Sequence, residues 1–322
     1  MASPTPIRLI QFRAAYNLPV HAAVENGIFA GSGLAVEIEY TPGSAYLVEA
    51  VRTGRCTIGH AAADDVVADV ENQPGSDLFA FMGLHSGLLS LVGAPGCPTM
   101  ESLRGKPLAV DARDSGFVFI LEKALRDRDF GPDEYELVEV GGWESRYQTL
   151  IEGRLFATLL TPPFVGAALE RGCHVIARGE EMISVYQATV GLAKRSWAEG
   201  NRTQLVNYIR CYVDATEWCF APENRRHCLD LLARHNDLTG ASAEETLDSL
   251  LDPKHGLYPR AELNIPGIAA ALDLRAGMGF IASPPPPPEK YIDVSYYQTP
   301  VRWPEEFNDP AFSRRVLGLD DD

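Results

Sequence analysis

The feature that most constrains this chain is a rhythm. From residue 7 to about 192, short apolar runs of strand type alternate with segments of helical period. "IRLIQF" (7–12) precedes a helix near 18–28, and "LAVEIEY" (34–40) precedes one near 45–53. "CTIGHA" leads into "DDVVADVE", and "LFAFMGL" follows. Such alternation predicts an α/β protein with a mainly parallel sheet and helices on both faces.

The rhythm then restarts. "LSLVGAP" (89–95) crosses into a second set: "PLAVDA" (107–112), a helix over about 116–128, "YELVEV", a helix beginning near Trp143, "FATLLT" (156–161) and "CHVIAR". "YQATVGLAK" (186–194) reads as the return crossing. Beyond it the pattern turns helical, over 203–220, 223–236, 242–252 and about 260–280. "SPPPPPEK" (283–290) is a polyproline spacer that stops the last helix, because proline cannot continue one. The expected organisation is a discontinuous first lobe (1–88 with 193–280), a second lobe (89–192), and a proline-rich spacer and aromatic tail (281–322) that packs back on the body. Two lobes joined by two crossings leave a cleft at the strand C-terminal ends, where open α/β sheets bind ligands.

Composition supplies exclusions. With 322 residues and 46% hydrophobic content the chain can fill two lobes of about 100–150 residues each. No apolar run approaches the roughly 18 residues of a membrane span. "MASPTPIRLIQF" shows no charged region followed by an apolar one, so the expectation is a cytoplasmic protein, or a periplasmic one if the start was trimmed. A net charge of −16 argues against nucleic acid or an anionic membrane as partner, though not against a small anion in a local field. Six scattered cysteines without a CxxC pair read as reduced thiols on helix core faces, not as a disulfide framework. Asn201-Arg202-Thr203 is a glycosylation sequon in form, without meaning in a cytoplasm. Gly31-Ser32-Gly33 lacks the third glycine of a dinucleotide loop, and there is no Walker loop, G-x-S-x-G elbow or H-E-x-x-H helix. No metal or organic cofactor is implied.

Several stretches resemble a known family. "NLPVHAAVENGIFAGSGLAVEIEYTPGS" is similar to the opening of type II periplasmic-binding-fold proteins that bind sulfonates, nitrate and thiamine precursors. Its marks here are Gly27-Ile28-Phe29 and Gly33-Leu34-Ala35-Val36. "SLRGKPLAVDARDSGFVFILEKAL" and "LIEGRLFATLLTPPFVGAALERG" resemble the second-lobe signatures, the latter with Thr161-Pro162-Pro163 at the cleft. The resemblance spans roughly residues 7–200 and implies a two-lobed fold with a ligand cleft between the lobes. "GGWESR" looks most like a segment of the aromatic sulfinate desulfinase branch, which implies Trp143 as a pocket wall. That enzyme's nucleophile is a cysteine before Pro-Val, and this chain has Leu18 there; its histidine and arginine fall near Tyr46 and Gly59. The resemblance therefore marks a place without carrying that chemistry over.

Helix starts at the cleft supply the candidates. In the first, Phe12, Arg13, Tyr16 and Asn17 occupy a loop, and Asn17 either holds a ligand carbonyl or caps the next helix. In the second, Ser44 leaves N–H groups open to an anion, and Tyr46 is either a proton donor or an aromatic wall. In the third, Asp64-Asp65 complement a helix dipole, or one of them faces the cleft as a base or cation receptor; Asp65 and His60 are the acid–base candidates. His85 lies near the crossing, whereas His21 falls within a helix as a structural residue. The fourth start offers Ser115 and Gly116 N–H groups, with Arg113 for bidentate charge. After it come Trp143, where a flat ligand would stack, Arg146, and Glu144 as a first-turn helix residue.

The expected partner is a small organic anion, with a homodimer compatible and an ABC permease implied only if the chain is exported. Two functions are in view. One is an intracellular lyase, such as a decarboxylase or C–S/C–C-cleaving enzyme, acting on an aromatic or heteroaromatic acid, with Tyr46, His60 and Asp65 as its catalytic candidates. The alternative is a non-catalytic solute-binding protein for a sulfonate, carboxylate or thiamine-precursor-like ligand.

Overall fold

The computed structural model describes residues 5–298. Two five-stranded sheets divide the chain. The first is built from β1 (Thr5–Gln11), β2 (Leu34–Tyr40), β3 (Ile58–Ala62) and β4 (Leu78–His85), completed by β10 (Thr189–Lys194), in the order β2-β1-β3-β10-β4. The second takes β5 (Ser90–Gly93), β6 (Lys106–Val110), β7 (Tyr135–Glu139), β8 (Ala157–Leu160) and β9 (His174–Arg178), in the order β7-β6-β8-β5-β9. The mainly parallel expectation needs a correction in each sheet. β1 pairs in parallel with β2 and β3, but β10 runs antiparallel between β3 and β4. β5 likewise runs antiparallel to β8 and β9. Both exceptions are strands that follow a crossing from the other lobe, β5 directly after β4 with no helix between them and β10 after the single turn Gly179–Met182.

Period-two alternation sorts the first sheet's core. Ile7, Leu9 and Ile58 face the helices Leu18–Glu25 and Arg202–Phe220. Ile10 faces the other way, among Leu47, Val51 and Val66 of the helices Ser44–Arg52 and Ala63–Asn72. The second sheet has its own core, in which Leu91, Leu108, Leu121, Leu159 and Trp143 are buried.

The helix Ile265–Gly277 spans both lobes. It buries Ile268, Ala271, Leu272 and Arg275, one face at helical spacing, against the helices Ala63–Asn72 and Gly116–Arg126. The polyproline stretch is followed by one more turn of helix, Ser295–Gln298, so the helix before it is not the last. Tyr291 and Ile292 are buried, and Ala80 on β4 both donates to the Tyr291 carbonyl and accepts from Asp293 N–H. The rest of the expected tail, from 299 onward, lies outside the described residues. Among the described residues no helix is long and apolar enough to cross a membrane.

Candidate functional site

The lobes meet around Tyr16. A short 3-10 turn, Ala15–Asn17, carries it from the loop after β1 into the cleft, where it is buried. Its ring packs on His85 at the end of β4, with centroids 4.7 Å apart. Its hydroxyl faces the Trp143 side chain from the second lobe and Thr189 from the crossing, with Asp65 in electrostatic reach. Burial raises the Tyr16 phenol well above its ordinary pKa, and Trp143 opposes that shift. His85 is 1% exposed and both its ring nitrogens lack partners; burial lowers its pKa to about 3, so it is a neutral imidazole.

The second lobe contributes two helix starts. Trp143 opens the helix Trp143–Ile151 after the Gly141-Gly142 turn and packs on Phe117, centroids 5.6 Å apart. One turn on, Arg146 lays its guanidinium over the Trp143 ring at 4.1 Å and donates from Nη1 to the Leu159 carbonyl at 3.0 Å. Its Nε is buried without a partner. Ser115 caps the helix Gly116–Arg126 by accepting from Val118 N–H, and its hydroxyl donates to Asp111 at 2.8 Å. Gly116 is required by contact: a Cβ there would stand 2.6 Å from Asp64 Cβ and 2.7 Å from the Tyr186 hydroxyl. The second lobe's helix start is thus pressed onto the first lobe's.

Carboxylates dominate the junction. Arg275 donates to Asp64 Oδ2 at 2.6 Å and to the Asp114 carbonyl at 3.1 Å, tying the two lobes through the spanning helix. Burial raises Asp64 to about 6, with the Arg275 guanidinium opposing. Burial and then the adjacent Asp64 raise Asp65 to about 7, against the Ser44 hydroxyl and Ala62 backbone. Asp111 faces both Asp65 and Arg146 from the second lobe. The Asp65 Oδ2 and the Tyr186 hydroxyl are shielded from solvent without hydrogen-bond partners. Buried polar atoms of this kind are costly unless something binds them.

The structure therefore gathers Tyr16, Ser44, Asp65, His85, Ser115, Gly116, Trp143 and Arg146. Phe12 also lies at the junction, packing against the cores of both lobes. Other expectations need correcting. Tyr46 is 43% exposed on the outer surface, where its hydroxyl donates to Glu39 and Arg55 covers its ring. It sits two positions past Ser44, and at about 100° per residue that turns it to the opposite side of the helix, away from the cleft. His60 is fully buried inside the first lobe, its Nε2 2.9 Å from the Tyr208 hydroxyl, and burial lowers its pKa to about 3. It shares the strand face of Ile58, which points it at the helix Arg202–Phe220. The catalytic trio does not assemble.

Two arginines are also spent elsewhere. Arg13 is exposed and lies over the Tyr40 ring, while Arg113 returns to the β7 edge, its Nη2 donating to the Leu137 carbonyl at 2.5 Å. Asn17 makes no side-chain cap; it braces its own loop by donating to the Phe12 carbonyl at 2.6 Å, leaving Oδ1 buried without a partner. Thr161 is buried after β8, and its hydroxyl reaches only the Pro162 carbonyl, at 3.5 Å. Glu144 is exposed in the first turn of its helix, and His21 stacks on His235 at 3.8 Å outside the cleft.

Sequence reasoning missed Asp111, Tyr186 and Arg275. The signal for Arg275 was present: a lone cation on the apolar stripe Ile268, Ala271, Leu272, Arg275 must find a buried partner. Tyr186 carried none, being one aromatic residue in a crossing segment.

The architecture is that of two-lobed periplasmic binding proteins. The ligand-binding component of an ABC-type import system from Staphylococcus aureus, solved with zinc bound, superposes with a TM-score of 0.77 at 14% identity, over 93% of this chain and 100% of its own. The alkanesulfonate-binding protein SsuA of Xanthomonas axonopodis pv. citri, bound to MOPS, gives 0.73 at 18% identity, over 91% and 99%. The periplasmic nitrate-binding protein NrtA of Synechocystis PCC 6803 gives 0.74 at 10%, over 92% and 88%. Identities this low establish the fold and not the ligand. Among curated proteins, no sequence matches this chain. The family model described as NMT1/THI5 like matches residues 14–223, and the chain belongs to that family.

Proposed function

We propose that this protein is a solute-binding protein that closes its two lobes on a small organic acid with a flat ring, in the manner of the binding components of ABC-type import systems. The observation that carries the reading is the convergence at Tyr16 and Trp143 of buried, unpartnered polar atoms from both lobes, chiefly His85, Asp65 Oδ2 and Arg146 Nε. The Trp143 and Tyr16 rings supply the stacking surface, and the free Arg146 Nε–H is the donor for an acidic oxygen. The lyase reading is the weaker one, because Tyr46 lies on the outer surface and His60 in the first lobe's core. The periplasmic nitrate-binding neighbour supports a periplasmic location, and the neighbour from an ABC-type import system supports an ABC permease as partner, in place of the cytoplasmic expectation.

The test incubates the protein with a panel of aromatic and heteroaromatic acids, following thermal shift and substrate loss together. Stabilisation without turnover is the expected outcome, and Trp143→Ala should abolish it while retaining the native circular dichroism spectrum. Steady consumption of any panel member would restore the lyase reading. Unchanged stabilisation of Trp143→Ala would remove that ring from the site.

A further inference from the structure

The charges around the cleft do not balance. Three carboxylates, Asp64, Asp65 and Asp111, meet there with only two arginines, Arg275 and Arg146. Arg275 is bound to Asp64, and Arg146 lies on the Trp143 ring facing Asp111. Asp65 is left over, with the Ser44 hydroxyl and Ala62 backbone on its protein side and Oδ2 buried without a partner. A second, independent sign stands beside it. Tyr186 is 3% exposed, its hydroxyl has no partner, and it lies in electrostatic reach of Asp64, Asp65 and Asp111.

A purely anionic ligand would bring a fourth negative charge to this place. A ligand that also carries a protonated nitrogen would neutralise the third carboxylate, and desolvation makes such a pair strong. We infer that the ligand is bipolar: a flat ring against the Tyr16 and Trp143 side chains, an acidic group at the Arg146 Nε–H, and a protonated nitrogen held by Asp65 Oδ2 with the Tyr186 hydroxyl beside it. The inference rests on the binding reading above and deepens the anion expectation by a second pole. Specificity over simple anions then comes from Asp65, which repels any ligand lacking the nitrogen.

The test compares 4-(aminomethyl)benzoate with 4-methylbenzoate by calorimetric titration at pH 8. The expected result is at least tenfold tighter binding of the amino acid, with the two probes equalised in Asp65→Asn. Equal or tighter binding of 4-methylbenzoate to the wild type overturns the inference while leaving the binding reading intact. A preference that survives Asp65→Asn overturns the assignment to that residue. Failure of both probes to bind the wild type counts against both readings.

A wild-type titration is independent of the variant. The groups facing Asp65 are Asp64 on its own helix, Ser44, Asp111, Tyr16 and Tyr186, with Arg275 reached through Asp64. Protonating this cluster removes the attraction, so affinity for 4-(aminomethyl)benzoate should fall from pH 8 to pH 6. A rise over that range overturns the inference.

Discussion

Replacing Arg275 by methionine removes the one cation that enters the junction from the spanning helix. The pair it forms with Asp64 is 2.6 Å long, with the side chains 0% and 2% exposed, so neither charge can be rescued by water. Asp64 escapes by taking a proton. With the guanidinium present its pKa is about 6, so at pH 7.5 it is ionised; without it, the native carboxyl is neutral. Each unit between pH and pKa is worth roughly 1.4 kcal/mol, giving about 2 kcal/mol at pH 7.5. Losing the hydrogen bond to the Asp114 carbonyl adds about 1 kcal/mol. At pH 5.5 Asp64 is already largely protonated in the native protein, and only that last contribution remains. Urea unfolding should therefore show Arg275→Met destabilised by about 3 kcal/mol at pH 7.5 and about 1 kcal/mol at pH 5.5. Adding Asp64→Asn should recover most of the difference at the higher pH. A loss independent of pH, or a double variant weaker than the single one, would refute the reasoning.

Three further expectations follow from the same charges and contacts. Asp65 has a pKa raised to about 7, so its native form binds a proton that the unfolded chain releases near pH 4, and its stability contribution is lost as pH rises between them. Asp65→Asn should thus raise the unligated protein's melting temperature at pH 8 and leave it unchanged at pH 4; a loss at pH 8 would contradict a functional cost at this position. His60 is the opposite case: its pKa is lowered to about 3, so stability falls as pH drops below the unfolded value near 6.5. His60→Gln should gain about 2 kcal/mol on the wild type between pH 7.5 and pH 5, read from denaturant midpoints at both values. Gly116→Ala would force its Cβ to 2.6 Å from Asp64, so the lobes must part; small-angle scattering should give a larger radius, and ligand affinity should fall at least tenfold. An unchanged radius would place the strain elsewhere.

The sequence was most readable where local pattern decides structure. β2 lies at Leu34–Tyr40, as its alternation predicts, and the helices Ser44–Arg52 and Arg202–Phe220 fall within a residue of expectation. Trp143, Ser115 and Gly116 could be placed at the junction from the sequence, because a helix start after a strand end lies at the cleft side by topology. Tyr46 and His60 failed for want of one further step, the direction of each side chain. A phase argument from Ser44 turns Tyr46 outward, and the shared strand face with Ile58 turns His60 into the core. The lobe-to-lobe contacts were out of reach. Arg275 and Asp64 are 211 residues apart, and nothing in either segment names the other. The orientations of the crossing strands were missed for a related reason, since periodicity reports burial and not direction.

The place of β10 has a consequence for how the chain is assembled. Among the strands of the described residues β4 pairs only with β10, and β10 lies more than a hundred residues downstream of it. On a ribosome or during translocation, the first four strands emerge while their sheet still lacks its inner member. The second sheet, made wholly from β5 to β9, can close first. Its completion brings the chain back to the gap between β3 and β4, so the lobe begun first is finished last. Until then β3 and β4 each present an unpaired edge. Chaperone protection should therefore be needed for a nascent chain that ends before residue 189 and released once β10 and the helix Arg202–Phe220 have emerged.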